Sequence, residues 1–261
     1  MEIAYSRVGS GVPLVLLHAF PLSSEMWAAQ RGGLSREADV ITVDQRGFGE
    51  SAAPDAVADV PPDLAVVADD LAVLLDRLEL PDVVLGGLSM GGYVAMAFLR
   101  RHADRVRGLI LANTKASADT PEAAANRLRI AETVEKAGDT EFLIPELAPK
   151  LLGESNRRRD PQLVHRVESM LRAAPPDAVA WAQRAMAARS DSFEVLRGIE
   201  IPVLVVAGDE DALMARSEAT AMATAVNDPE LVFIPGAGHL TALEAPREFN
   251  AAVSGFLKRC A

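Results

Sequence analysis

Residues 83–99 read VVLGGLSMGGYVAMAFL, and this stretch limits the fold more than any other in the chain. Branched apolar residues run into four glycines set around a single serine, and a helix-like pattern follows at once. A strand that passes straight into a helix must turn sharply. Side chains two positions either side of the apex would then strike neighbouring backbone, and glycine at 87 and 91 removes that collision. Ser89 is left exposed above the sheet, next to the positive end of the following helix.

Further short apolar runs alternate with helical periodicity, the pattern of a mostly parallel central sheet flanked by helices. Strands are predicted near Glu2–Val8, Pro13–Leu17, Val40–Val43, Val83–Gly86, Gly108–Ala112, Val203–Ala207 and Leu231–Ile234. Helices are predicted over Leu64–Leu78, Gly91–His102, Ser217–Ala225 and Arg247–Arg259. Between 117 and 195 the β-like runs stop. Helical stretches there are punctuated by Pro121, Pro145, Pro149, Pro161, Pro175 and Pro176. The expected organisation is an α/β core domain of residues 1–116 and 196–261, with residues 117–195 inserted as a helical cap, or lid.

Bulk properties narrow the function. The chain of 261 residues carries a net charge of −11, which argues against nucleic acid and against an anionic membrane surface. No apolar run reaches the 18 residues of a candidate transmembrane helix, and the first eleven residues lack the pattern of a signal peptide. The single Cys260 allows no intrachain disulfide. A cytoplasmic location is expected, with no nucleic-acid or membrane partner; monomer and homo-oligomer stay open. H-E-x-x-H and paired C-x-x-C are missing, so no metal is expected. The phosphate-cradling glycine motifs are missing too, and no cofactor is expected.

A serine hydroxyl is a weak nucleophile without a base and a group to orient that base. GLSMG, residues 87–91, fits the G-x-S-x-G elbow. Of the four histidines, His102 in RRHADR and His165 among charged residues read as surface groups. His239, in VFIPGAGHLTALEAP, follows the last predicted strand in a glycine-rich loop. Such strand-end loops assemble sites in α/β sheets. Three acids, Asp209, Glu210 and Asp211, follow the strand IPVLVVA in the loop GDEDALM.

The chain order Ser, Asp, His and the elbow together resemble the α/β-hydrolase fold family. The resemblance covers nearly the whole chain. It implies Ser89 as nucleophile, His239 as general base and Asp211 as its partner, with Asp209 as the alternative acid. Family members hold the oxyanion with two backbone N–H groups, here those of Met90 and of Phe20 in LLHAFPLSSEMW. That loop is similar to the family's His-Gly-x-Pro segment, with Ala19 in place of glycine, and His18 is expected to buttress it. DQRGFGES, residues 44–51, resembles a further family segment and reads as support for the fold. Trp27, Lys115, Trp181 and Met214 are candidate substrate contacts, with core packing the plainer role for both tryptophans. Lys115 would either meet a substrate carboxylate or stand solvated.

The implied reaction is cleavage of a small-molecule ester or lactone through an acyl-enzyme, as in carboxylesterases and the 3-oxoadipate enol-lactonase group. Carbon–carbon bond hydrolases and cofactor-free perhydrolases use the same parts. Dehalogenases and epoxide hydrolases on this fold use aspartate where this chain has Ser89. A catalytically silent receptor is the alternative of another class.

Overall fold

Apolar side chains alternate between the two faces along the inner strands, so one sheet packs against two separate cores. The computed structural model describes residues 1–53 and 55–260. The chain opens with β1 (Tyr5–Gly9) and β2 (Val12–Leu17), then α1 (Ala28–Leu34) and β3 (Ala38–Val43). Next come α2 (Leu64–Arg77), β4 (Val83–Leu88), α3 (Met90–His102) and β5 (Val106–Ala112). In β2, Val15 and Leu17 join the core formed with α2 and α3, through residues such as Val67, Leu71, Val94 and Phe98. Leu14 and Leu16 point the other way, into the core shared with Leu34 and, near the C-terminus, Phe249, Val253 and Phe256.

Six helices follow β5: α4 (Pro121–Ala137), α5 (Leu143–Leu151), α6 (Glu154–Arg159), α7 (Pro161–Ala173), α8 (Pro176–Ala187) and α9 (Phe193–Arg197). Proline begins three of them, at 121, 161 and 176, a position where its missing N–H costs no helical bond. The Thr120 hydroxyl caps α4 and Gly138, at φ 71°, ends it, as helix-terminus chemistry requires. Pro145 and Pro149, expected to break helices, both lie within α5. Pro145 stands in its first turn, and Pro149 forgoes only the bond to the Pro145 carbonyl. The chain then returns to the sheet with β6 (Val203–Gly208), α10 (Arg216–Ala225), β7 (Pro229–Ile234), the short α11 (Thr241–Glu244) and α12 (Pro246–Leu257).

The seven strands lie in the order β1-β3-β2-β4-β5-β6-β7. Only β1 runs antiparallel to its neighbour. The chain leaves β2 for β3 on one side and continues with β4 on the other, which makes the gap between β2 and β4 the switch point of the sheet. Loops diverge there and leave a crevice at the carboxyl ends. Leu17 pairs with Gly87, Leu88 with Ala112, Ala112 with Val206 and Gly208 with Ile234. That register brings the loops after β2, β4, β5, β6 and β7 to a common edge.

DQRGFGES ties this edge down. The Asp44 carboxylate accepts from the Ser24 and Glu50 N–H groups at 2.7 and 3.0 Å. Gly49, at φ 53°, sits so close to that carboxylate that a β-carbon would displace it. Arg46 reaches back to Asp70 of α2 with two bonds of 2.7 Å. Asp44 and Arg46 thus act on different partners.

His18 buttresses the same region. Its Nδ1 faces the Ala19 carbonyl at 3.0 Å, and its Nε2 accepts from the Gln45 N–H at 3.0 Å. Burial lowers its pKa to about 4, against smaller opposing effects of the Ala19 carbonyl and Asp44. An unfolded histidine titrates near 6.5, so on acidification the unfolded chain takes up the proton first. The stabilisation is whole above about pH 6.5 and is lost as the pH falls toward 4, roughly 3 kcal/mol in all. Denaturant unfolding at pH 7, 5.5 and 4 should show this loss. The ring's proton resonances should stay unshifted until close to pH 4, and a midpoint near 6.5 in the folded protein would contradict it.

Candidate active site

At the end of β4 the backbone turns through Ser89 at φ 55° and ψ −112°, a conformation costing on the order of 1–3 kcal/mol in a non-glycine residue. Neighbours hold it there. The Ser89 N–H donates to the Ala112 carbonyl at 2.9 Å, and the Ser89 carbonyl accepts from the Gly92 N–H and the Thr114 hydroxyl at 2.9 Å each. The glycines meet the need read from sequence. A β-carbon on Gly87 would collide with the Gly91 carbonyl, and one on Gly91 with the Leu17 carbonyl. Although Ser89 precedes α3, its side chain makes no capping bond, and it lines a cavity of about 290 Å³.

His239 lines the same cavity from the loop after β7. Its Nδ1 lies 2.9 Å from Asp211 Oδ2 and 3.1 Å from Oδ1, with the side chains only 2% and 1% exposed. The Asp211 carboxylate is surrounded by donors. Oδ1 accepts from the Leu213 and Met214 N–H groups at 2.8 and 3.0 Å. Oδ2 accepts from Asn113 Nδ2 at 2.9 Å. Burial would raise this acid, yet the His239 ring and the converging hydrogen bonds hold it below the usual carboxylate range. The alternative acid, Asp209, instead accepts from the Gly236 N–H at 2.6 Å and shapes the turn before His239. A carboxylate placed like that of Asp211, 2.9 Å from Nδ1, holds the ring proton on that nitrogen and leaves Nε2 free to take another.

Two residues that sequence reasoning missed hold this pair in place. Asn113, at φ 45°, also donates to the Gly238 carbonyl at 3.1 Å, and its Oδ1 accepts from the Thr241 hydroxyl at 2.6 Å. It therefore bridges the loops that carry the acid and the imidazole. Its signal was an asparagine at a strand end, one of the few residue types that tolerate positive φ. Glu244 is the second. Its carboxylate accepts from the Gly238 and Leu240 N–H groups at 2.9 and 3.2 Å, on either side of His239. It also accepts from the Gly153 N–H at 2.8 Å and Asn156 Nδ2 at 2.9 Å. Burial outweighs these bonds and raises its pKa. An acid five residues beyond the histidine was its only trace. Glu210 adds a parallel tie, accepting from the Ser155 N–H at 2.8 Å and from the Ser155 hydroxyl.

Met90 opens α3, so its N–H is one of the first-turn donors without an intrahelical acceptor. Phe20 lines the cavity from a loop closed by the Leu22 N–H on the Ala19 carbonyl at 2.8 Å. The backbone at Ala19 does not adopt a positive φ, so this turn does not need glycine there.

Lys115 and Met214 line the cavity; the tryptophans do not. Trp27 is 1% exposed, with its ring 5.9 Å from Phe249 in the core on the opposite face of the sheet. The short 3₁₀ turn before α1 directs it there. Trp181 packs in the core below α8 and donates from Nε1 to the Val60 carbonyl at 2.8 Å. The far wall comes from α4, α5 and α8, through Arg127, Ile130, Leu143, Leu147 and Met186.

The sequence profile of the alpha/beta hydrolase fold matches residues 12–246. Among curated proteins, 3-oxoadipate enol-lactonase 1 of Acinetobacter baylyi is 28% identical over 233 residues, spanning 89% of this chain and 84% of that protein. Among solved structures, a thermophilic esterase from Thermogutta terrifontis, solved with malate bound, is 43% identical at a TM-score of 0.94. That match covers 99% of this chain and 93% of the esterase. The enol-lactonase from Burkholderia xenovorans LB400 is 27% identical at a TM-score of 0.88, covering 98% and 96% of the two chains.

Proposed function

The chain belongs to the alpha/beta hydrolase fold family, and from that premise we propose that it is a serine hydrolase that cleaves small-molecule esters or lactones through an acyl-enzyme. The observation carrying this reading is the Asp211 carboxylate 2.9 Å from His239 Nδ1, with His239 and Ser89 lining one cavity. The esterase and enol-lactonase similarities support the choice of bond.

In this mechanism Ser89 Oγ attacks the acyl carbonyl while His239 Nε2 takes its proton, and Asp211 stabilises the imidazolium. The tetrahedral oxyanion is held by the N–H groups of Met90 and Phe20, which need no reorganisation as charge develops. Collapse of the intermediate expels the alkoxide, which takes the proton from His239. Water, deprotonated by the same ring, then attacks the acyl-enzyme, and His239 returns that proton to Ser89 Oγ as the acid is released. The helical insertion of residues 117–195 serves as a cap whose α4, α5 and α8 shape the acyl pocket, with Met214 and Lys115 lining it from the core.

A fluorophosphonate probe tests the assignment. Wild type should be labelled stoichiometrically and Ser89→Ala should not. Folded wild-type protein that takes up no probe would favour a silent receptor.

A further inference from the structure

One end of the cavity carries polar groups for which acyl transfer has no use. Asp119, with its side chain 2% exposed, is gripped by Arg127 Nε at 2.5 Å and Arg189 at 2.8 Å, and Lys115 Nζ stands 3.3 Å away. Glu218 is the second acid nearby, accepting from the Ser117 hydroxyl at 3.3 Å. Three cations therefore converge on one carboxylate with a second nearby, and with Lys150 and Glu146 on the same lining four cations stand against three carboxylates, an imbalance of one positive charge. Buried charge is normally balanced, so this count leaves room for one more anion.

Tyr93 gives an independent indication. It is 4% exposed and lines the cavity with Ser89 and Lys115. The Arg189 guanidinium lies over its ring, 4.1 Å from the centroid. Its hydroxyl is buried and has no hydrogen-bond partner among the described residues, although buried hydroxyls ordinarily find one. Burial pushes the Tyr93 pKa upward, so the group stays a protonated donor. An unused donor beside surplus positive charge is suited to a carboxylate, which accepts charge-assisted bonds from both.

We propose that Tyr93, Lys115 and Arg127 form a carboxylate subsite that receives the anionic end of a carboxylated acyl ester or lactone, a proposal resting on the serine-hydrolase reading above. Tyr93 stands four residues beyond Ser89 on α3, about 6 Å along the helix axis. The anionic group therefore sits a few carbons from the reacting carbonyl. Ile130, Leu143 and Leu147 provide an apolar wall for the intervening methylenes.

Two substrates of nearly equal shape test this: the mono-4-nitrophenyl ester of glutaric acid, and the same ester with its free carboxylate capped as the methyl ester. Wild type should favour the charged ester in kcat/KM by about tenfold or more, and Tyr93→Phe and Lys115→Met should each reduce that ratio by about tenfold. Tyr93→Phe removes only a partnerless hydroxyl, so its Tm should match or exceed wild type. In a second arm, calorimetry should detect glutarate binding to Ser89→Ala protein, and adding Lys115→Met should weaken it about tenfold. A wild-type ratio of one or less, or a ratio indifferent to both substitutions, overturns the subsite. Cleavage of both esters without preference, and without glutarate binding, overturns the subsite and spares the hydrolase. Glutarate binding by a wild type that cleaves neither ester supports the subsite and defeats the hydrolase reading.

Discussion

Ser89→Ala is expected to lower kcat on a short 4-nitrophenyl ester by at least about 10⁴-fold, with any remainder coming from substrate binding and oxyanion donors alone. The size follows from losing a covalent step outright. Without Oγ no acyl-enzyme forms, and His239 has no hydroxyl to deprotonate. Folding should change little. Alanine keeps the β-carbon that Ser89 already accommodates at φ 55°, and the Ser89 side chain gives α3 no capping bond. The check is steady-state kinetics beside thermal unfolding. A variant that melts like wild type yet retains a tenth of the activity would assign the chemistry to another group.

Asp211→Asn should lower kcat by about 10⁴-fold with KM little altered, because the substitution changes the tautomer of the base and leaves its position alone. Every neighbour of this carboxylate other than the imidazole is a donor: the Leu213 and Met214 N–H groups at Oδ1, and Asn113 Nδ2 at Oδ2. An amide has one oxygen. If that oxygen serves Leu213 and Met214, the NH₂ group confronts both Asn113 and His239 Nδ1. The imidazole relieves the conflict by carrying its proton on Nε2, where it can no longer accept one from Ser89. Fluorophosphonate labelling should slow in proportion, since it depends on the same deprotonation. Asp209→Asn gives the contrast. Its bond to the Gly236 N–H at 2.6 Å can be kept by an amide oxygen, so its loss should stay within about tenfold. Equal losses in the two variants would refute the assignment of Asp211 as the partner of His239.

The inner sheet was legible because β3, β4, β5 and β6 are buried on both faces, and long β-branched runs such as VLVVA have few other stable homes. Each predicted strand overlaps an observed one, with errors confined to the ends, as at β3, which begins at Ala38 where Val40 was expected. Helix α1 escaped notice because AAQRGGL carries two glycines and almost no apolar periodicity. Trp27 and Trp181 both pack in the cores, the plainer of the two roles the sequence offered, although nearness to a motif along the chain does not tell which face of the sheet a side chain enters. Asp119, Arg127, Tyr93, Asn113 and Glu244 were hardest to foresee. Their interest lies in which buried polar atoms meet or fail to meet a partner, and no one-dimensional pattern encodes that.

Residues 153–156 have a consequence for engineering. Glu210 and Glu244 fasten this short segment to the loops bearing Asp211 and His239. Retargeting the protein by transplanting a foreign helical insertion would sever these fastenings and let His239 drift, however well the new pocket fitted its ligand. A chimera should therefore be joined outside this segment, keeping the native 153–156 as part of the recipient.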